Sequence, residues 1–258
     1  MRVLPWVLAV ATILGHQAWP LTSGQWRVTL TIITVITSFL ASVSHAFIWR
    51  GPLWTGSYLA TTLGIGWGVE AFGTATGALF GSYHYTDALG VSLLGVPLII
   101  PMAWSMMAYP CLLATQRLVR SKTATALLGG YLFTTWDIFL DPQMVGEGYW
   151  VWHVAEHTIP GIPGIPVENY LGWLVVSVVM MAMLAQLPKV KAPTGVPTLM
   201  LSWVYFSNVF GNVVFFDRPT VAVWGGLLMG LVIVPWWLSL RRSYPAFAAA
   251  TRAEDPAP

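Results

Sequence analysis

Residues 123–142, TATALLGGYLFTTWDIFLDP, decide the class of fold to which this chain belongs. The first half of the stretch is apolar enough to lie in a membrane, yet it leads directly into Asp137 and Asp141. A carboxylate at such a depth is costly to bury, and acids inside apolar segments are functional-site candidates by default. Glu70 lies inside a second apolar segment, so three acids need an explanation.

The composition excludes an ordinary soluble domain. The chain has 258 residues, of which 56% are hydrophobic and 9% charged, and its mean hydropathy is +0.68. Soluble domains carry about 25% charged residues. We therefore expect an all-α, polytopic membrane helical bundle. The net charge of +2 is too small to indicate a nucleic acid partner.

Eight apolar segments are candidates for membrane spans of about 20 residues each. They predict about eight transmembrane helices, or seven if the first segment is not a span. Residues 1–242 are expected to form a single transmembrane domain, followed by a disordered cytoplasmic tail at 243–258. The segments are approximately 3–19, 28–49, 54–80, 91–116, 123–140, 169–187, 196–216 and 220–240.

The positive charges of the loops orient the predicted bundle. With eight spans, the positive-inside rule places both termini in the cytoplasm of a multi-pass protein of the cell (plasma) membrane. The three acids then lie toward the outer side, where Asp217 and Arg218 cancel and Arg27 opposes the rule. The basic residues that set this orientation are Arg50, Arg117, Arg120, Lys122, Lys189, Lys191, Arg241 and Arg242.

Spacing within the segments predicts where the acids point. Gly73, Gly77 and Gly81 recur every four residues, which places them on one face of a helix that packs closely against a neighbour. Glu70 lies three residues before Gly73 and is therefore expected to face the bundle interior. In the fifth segment, Pro142 is expected to end the helix.

The acids and the aromatic residues together suggest proton chemistry on an apolar molecule. Asp137 and Asp141 are spaced i, i+4 and face the same way, so in a medium of low polarity both do not ionise easily. A carboxylic acid that keeps its proton can act as a general acid. Aromatic faces stabilise a cation by about 2 kcal/mol when desolvated. The nearby rings are Trp67, Phe72, Phe80, Tyr83, Tyr85, Trp104, Tyr131 and Trp136, and His84 is a candidate for orienting water.

Two metal-dependent arrangements compete with this interpretation. Asp137 and Asp141 fit part of a magnesium–diphosphate site, but the chain lacks the second Asp-rich motif that such sites use. The sequence HVAEH at 153–157 matches the H-x-x-E-H pattern of some zinc peptidases, which requires a helix. It lies instead among tryptophans and a turn-rich Gly/Pro segment, so we expect a loop there and no metal site.

Six motifs stand out, namely EAFGTATGALFGSYHYTD (70–87), GVPLIIPMAW (95–104), MMAYP (106–110), TWDIFLDPQMV (135–145), WVW (150–152) and GIPVENYLGW (164–173). Together they resemble the carotenoid 1,2-hydratase family of carotenoid biosynthesis membrane proteins, whose archaeal members hydrate bisanhydrobacterioruberin. The resemblance covers about residues 60–215 and departs at residues 153–157, where the family has a Gly-rich, less charged stretch. It therefore assigns no catalytic role to that segment.

The resemblance implies a cofactor-independent hydro-lyase that adds water across the terminal 1,2 double bond of an acyclic (ψ-end) carotenoid such as lycopene or γ-carotene. Asp137, sharing its proton with Asp141, or Glu70 would protonate C2. The C1 cation would then take up water held by another carboxylate or by His84. Expected partners are the carotenoid, membrane lipid and other carotenoid-pathway enzymes, with no metal or other cofactor. The expected substrate-binding residues are Trp136, Trp104, Tyr83, Tyr85, Trp67, Asn169 and Tyr109.

Three other functions fit the same residues. A carotenoid end-group cyclase shares the protonation step, but its product gains no water. A prenyltransferase or elongase of the same pathway needs Mg²⁺ and a prenyl diphosphate. A non-enzymatic carotenoid-binding membrane protein returns its pigment unchanged.

Overall fold

The computed structural model describes residues 1–242, and most of them are helical. The expected tail at 243–258 lies outside these described residues. The expectation of an all-α bundle is confirmed, and so is the count of eight α-helices within the described range. They are α1 (Leu4–Ala18), α2 (Gly24–Arg50), α3 (Pro52–Thr76), α4 (Ile99–Leu118), α5 (Lys122–Gly146), α6 (Val167–Leu184), α7 (Gly195–Val214) and α8 (Pro219–Arg242).

Among residues 1–242, three helices, α2, α6 and α8, are long and apolar enough to cross a membrane, as is typical of a membrane protein. The expectation of eight such helices is too high by this measure. Helix α1 has 15 residues, fewer than the roughly 20 that a span needs. Other helices, including α3 and α5, carry the polar side chains that meet inside the bundle, and these lower their hydropathy.

Two expected helix boundaries on either side of residues 77–98 are wrong. Helix α3 ends at Thr76 because Gly77 adopts a left-handed conformation (φ 71°) and its N–H donates to the Gly73 carbonyl. Gly81 therefore lies outside the helix, and the predicted three-glycine face does not exist. Helix α4 begins at Ile99 instead of residue 91, because a small β-hairpin of β2 (Ser92–Leu93) and β3 (Val96–Pro97) precedes it.

The expected end of the fifth helix is also wrong. Helix α5 continues through Pro142 to Gly146. Proline removes the N–H that would donate to the Ile138 carbonyl, yet only one such bond is lost and the helix continues for one more turn. The helix thus carries Asp137 and Asp141 on continuous helical backbone.

The central contact of the bundle is the packing of α5 against α6, which also joins the two helices that carry Asp137, Asp141 and Asn169. Gly130 permits this approach: a Cβ atom there would lie 2.7 Å from the backbone of Val178. Helix α5 also packs against α4 and α8, while α1 packs against α2.

The two ends of the bundle differ in charge. At one end, Lys122 donates to Gln186, Lys189 donates to the Arg120 carbonyl and Arg50 donates to the Val190 carbonyl. At the other end Arg27 forms an ion pair with Glu147, with 2.6 Å between nitrogen and oxygen. Arg27, which opposes the predicted orientation, is therefore paired with an acid.

We expect Gly130→Ala to lower the stability of the protein in detergent by about 1–3 kcal/mol, because the added methyl group overpacks the α5–α6 contact. Gly64→Ala is the matched control, since a Cβ at Gly64 meets no atom within 4 Å and alanine favours helix over glycine by about 1 kcal/mol. Thermal unfolding of both purified variants measures the difference. Equal melting temperatures would show that the close approach at Gly130 is unimportant.

Candidate active site

Glu70 accepts hydrogen bonds from three aromatic side chains. Tyr85 Oη donates to Glu70 Oε2 at 2.7 Å, Trp104 Nε1 donates to Oε1 at 3.0 Å, and Tyr83 Oη also donates to Oε2. The carboxyl group is buried, as its position on α3 predicted. Three donors directed at one carboxyl group favour its charged form.

Short strands bring the two tyrosines to Glu70. Strand β1 (Tyr83–Tyr85) pairs antiparallel with β4 (Trp150–Trp152), with Tyr83 opposite Trp152 and Tyr85 opposite Trp150. Alternate side chains of a strand point to opposite faces, so the two tyrosines face the bundle together. The ring of Tyr83 stacks on Trp152 at 5.5 Å between centroids, and the ring of Tyr85 meets Trp150 edge-on at 5.6 Å.

Both tyrosines keep their protons. Burial, and then the neighbouring Glu70 carboxyl group, raise the pKa of Tyr83 and of Tyr85. Each phenol is therefore a donor to Glu70 at neutral pH and does not compete with it for negative charge.

Asp137 and Asp141 form a second buried acidic group, joined by one amide. Asn169 Nδ2 donates to Asp137 Oδ2 at 2.9 Å and also to Asp141 Oδ2. Trp150 Nε1 donates to Asp141 Oδ1 at 3.1 Å. Asp137 Oδ1 is buried without a hydrogen-bond partner. Two carboxyl groups that share one donor repel each other if both are charged, so the pair is more stable when one of them carries a proton.

The fold brings these partners together from separate segments. The helical spacing in α5 aligns the two aspartates, and the first turn of α6 supplies Asn169. After α5 ends, Gly148 turns the chain in a left-handed conformation (φ 70°), and β4 returns Trp150 beneath the helix end. Strand β4 thus links the tyrosines around Glu70 to the aspartate pair.

A cavity of about 60 Å³ lies between the two acidic groups. Glu70 and Asp141 both line it, whereas Asp137 is fully buried and lies behind the wall. The lining is otherwise mainly aromatic and apolar. Its ring-bearing members are Phe80, Tyr83, Tyr85, Trp104, Trp136, Trp150, Trp152 and Trp173.

Tryptophan rings form the deep wall of this cavity. Trp104 and Trp173 stack in parallel, with 3.9 Å between centroids and 7° between planes. Trp136 meets Trp173 edge-on at 6.2 Å. The close contact depends on Gly66, where a Cβ atom would lie 3.0 Å from the Trp104 side chain.

Most of the expected site residues meet at this cavity, and three do not. His84 is exposed on the outer face of β1, where its ring stacks on His153. Half-buried Trp67 donates to the Leu93 carbonyl and does not line the cavity. Tyr109 bonds to His45 and Arg50 near the basic end of α4. Asp137 lies directly behind the cavity wall, and the residues that line it are Asp141, Glu70, Trp136, Trp104, Tyr83, Tyr85 and Asn169.

Sequence reasoning missed Trp150, Trp152 and Trp173 as members of the site. The alternating pattern of Tyr83-His84-Tyr85 and Trp150-Val151-Trp152 was a signal for two strands, each with aromatic side chains on one face. It also explains the position of His84, because the middle residue of each strand must face outward.

The competing zinc motif is not helical. Residues 153–157 form irregular backbone after β4, as expected. Residues 1–242 contain no group of three or more histidine, cysteine, aspartate or glutamate side chains arranged to hold a metal ion.

The chain is similar to known proteins along most of its length. The sequence profile of the carotenoid biosynthesis protein family matches residues 10–234. The chain belongs to this family. No solved structure matches the chain.

A curated relative is the bisanhydrobacterioruberin hydratase of Haloarcula japonica. The two sequences are 30% identical over 148 residues, which cover 50% of this chain and 47% of the relative. The matched part is thus about half the length of that relative. Membership of the family supports a carotenoid-modifying role for this protein.

We expect Asn169→Ala to lower the free energy of unfolding by about 1–3 kcal/mol, because the aspartates lose a shared donor in a buried place. Asn208→Ala is the matched control, since the Asn208 amide donates to a carbonyl of its own helix. Thermal unfolding in detergent measures both. If the two variants melt alike, the amide bridge does not stabilise the aspartate pair.

Proposed function

We propose that this protein adds water across the terminal 1,2 double bond of an acyclic carotenoid and so forms a tertiary alcohol. The observation that carries the proposal is the pair of separate acidic groups on one aromatic cavity. One is an aspartate pair suited to holding a proton, and the other is a carboxylate with three donors. Acid-catalysed hydration needs a proton donor, a surface that tolerates a cation and a base for the attacking water.

The aspartate pair is the proposed general acid. Its shared proton passes to C2 of the double bond through Asp141, the member of the pair that lines the cavity. Asp137 lies behind it and acts as a positioning residue that holds the proton within the pair. The electron pair of the double bond forms the new C–H bond, and C1 is left as a tertiary cation.

The aromatic wall and Glu70 complete the reaction. The faces of Trp136 and Trp104 stabilise the cation at C1, by about 2 kcal/mol in a desolvated site. Glu70 orients a water molecule and accepts its proton as the water oxygen bonds to C1. The proton then returns to the aspartate pair through water in the cavity, so the sum is one alkene plus one water.

His84 takes no part in the proposed reaction. Its imidazole lies on the outer face of β1 and has no path to the cavity through its own strand. The resemblance to carotenoid 1,2-hydratases and the similarity to a named hydratase support hydration over cyclisation, which passes through the same cation but must exclude water.

Expression in a lycopene-accumulating host tests the function. The wild-type protein should yield a carotenoid whose mass is greater by one water, with label from H₂¹⁸O at C1. Asp141→Asn, Asp137→Asn and Glu70→Gln should each reduce this product by on the order of 10²-fold, since general acid–base groups contribute about that much.

His84→Gln is the matched control and should leave the product unchanged, with every variant compared at equal membrane levels. A ring-containing product of unchanged mass would favour a cyclase. A chain lengthened by isoprene units in an EDTA-sensitive reaction would favour a prenyltransferase. Pigment that is bound but unaltered would favour a carotenoid-binding protein.

The proposed setting is the cell membrane, with seven or eight helices embedded and both termini in the cytoplasm. The basic end of the bundle supports this orientation. On the other side, Arg27 is neutralised by its ion pair with Glu147. The cavity then lies nearer the outer face.

Reporter fusions check this orientation. Alkaline phosphatase needs disulfides that form outside the cytoplasm. It should therefore be active when fused after Gly148 and inactive when fused after Lys191. The reverse pattern would invert the proposed topology without changing the proposed chemistry.

A further inference from the structure

A second and larger chamber adjoins the acidic cavity. It has a volume of about 400 Å³ and lies between α1, α2, α5 and α7. Its walls include Trp19 at the end of α1, Ser38 on α2, Leu140 on α5 and Ser207 on α7.

The two spaces share part of their walls. Six side chains from α2, α4 and α5 line both, so the chamber adjoins the acidic cavity on the side of Trp136. These shared residues are Thr31, Val35, Met106, Trp136, Leu140 and Met144.

The sizes of the two spaces suit different parts of a substrate. Ligand pockets usually measure about 300–1,000 Å³. The acidic cavity, at about 60 Å³, has room for a small end group and water. The chamber, at about 400 Å³, lies within the usual range and has room for several isoprene units.

Hydrogen bonds within the wall occupy many of the polar groups of the chamber. Trp203 Nε1 donates to His16 Nδ1 at 3.2 Å, and Asn208 Nδ2 donates to the Val204 carbonyl at 2.8 Å. Thr34 Oγ1 donates to carbonyls of its own helix. With these donors already used, the surface offered to a ligand is largely carbon, as a polyene requires.

The chamber reaches the outer surface of the bundle along a row of phenylalanines on α7 and at its C-terminal end. Phe206 and Phe210 stack with 5.7 Å between centroids and 12° between planes. Phe215 meets Phe210 edge-on at 5.9 Å. All three line the chamber, and they are 55%, 45% and 49% exposed. In a membrane protein, such a surface faces lipid.

We propose that this chamber is the binding site for the conjugated chain of the substrate, which enters sideways from the lipid along the α7 phenylalanine row. The chain lies between α2 and α7, and its end group reaches past Trp136 to the acidic cavity. This inference rests on the proposed function for its substrate class, an acyclic polyene hydrocarbon.

Blocking the chamber from within tests the proposal. Ser207→Trp places an indole in the chamber and should reduce the lycopene that co-purifies with the protein by about tenfold, with a similar loss of hydrated product. Val213→Trp is the matched control on the same helix, because Val213 is 57% exposed and does not line the chamber. It should retain both pigment and product.

A second variant tests the proposal without adding a bulky side chain to the interior. Phe210→Ala lies at the exposed mouth and should weaken lycopene retention several-fold while the melting temperature stays unchanged. If Ser207→Trp misfolds, this variant alone decides the outcome. Wild-type pigment levels in Phe210→Ala and in a folded Ser207→Trp would overturn the proposal.

The readouts separate this inference from the proposed function. Binding is measured from the ratio of lycopene absorbance to protein, and it does not require turnover. If the wild-type protein binds lycopene but adds no water, and Ser207→Trp loses the pigment, the chamber stands and hydration fails. If Ser207→Trp hydrates lycopene at the wild-type rate, hydration stands and the chamber fails.

Discussion

The amide of Asn169, shared between Asp137 and Asp141, is the interaction on which the rest of the site depends. It requires α6 to lie directly against α5, and Gly130 makes that approach possible. The same approach places Trp173, one turn after Asn169, in the aromatic wall. Two acids inside an apolar bundle are tolerable only where such donors exist. The aspartate pair therefore requires the packing of α6 against α5.

The site combines two acidic groups with different surroundings. Glu70 is held by three donors from α4 and β1, whereas Asp137 keeps one oxygen without a partner. Different surroundings can give groups of the same chemical type different roles in a reaction. The two strands matter for this division, because they carry Tyr83 and Tyr85 to Glu70 and Trp150 to Asp141. A small sheet in a helical protein thereby connects the two halves of the site.

In the proposed function, the bundle receives an apolar substrate from the membrane. The acidic cavity is small, and a larger chamber beside it reaches the surface that faces lipid. A hydrocarbon dissolved in the bilayer need not cross water to arrive there. Eight aromatic side chains line the cavity between the two acidic groups, and three more form the phenylalanine row.

The sequence by itself determined the eight helices, their approximate positions, the buried direction of Glu70 and the family. Apolar runs and helical periodicity are local properties that need no knowledge of neighbours. Only the tertiary structure decided that Asp141 and not Asp137 lines the cavity, that Trp150 and Trp173 also line it, and that His84 does not. Those outcomes depend on strand pairing and on contacts between distant segments, and the spacing of residues along one helix carries no information about them.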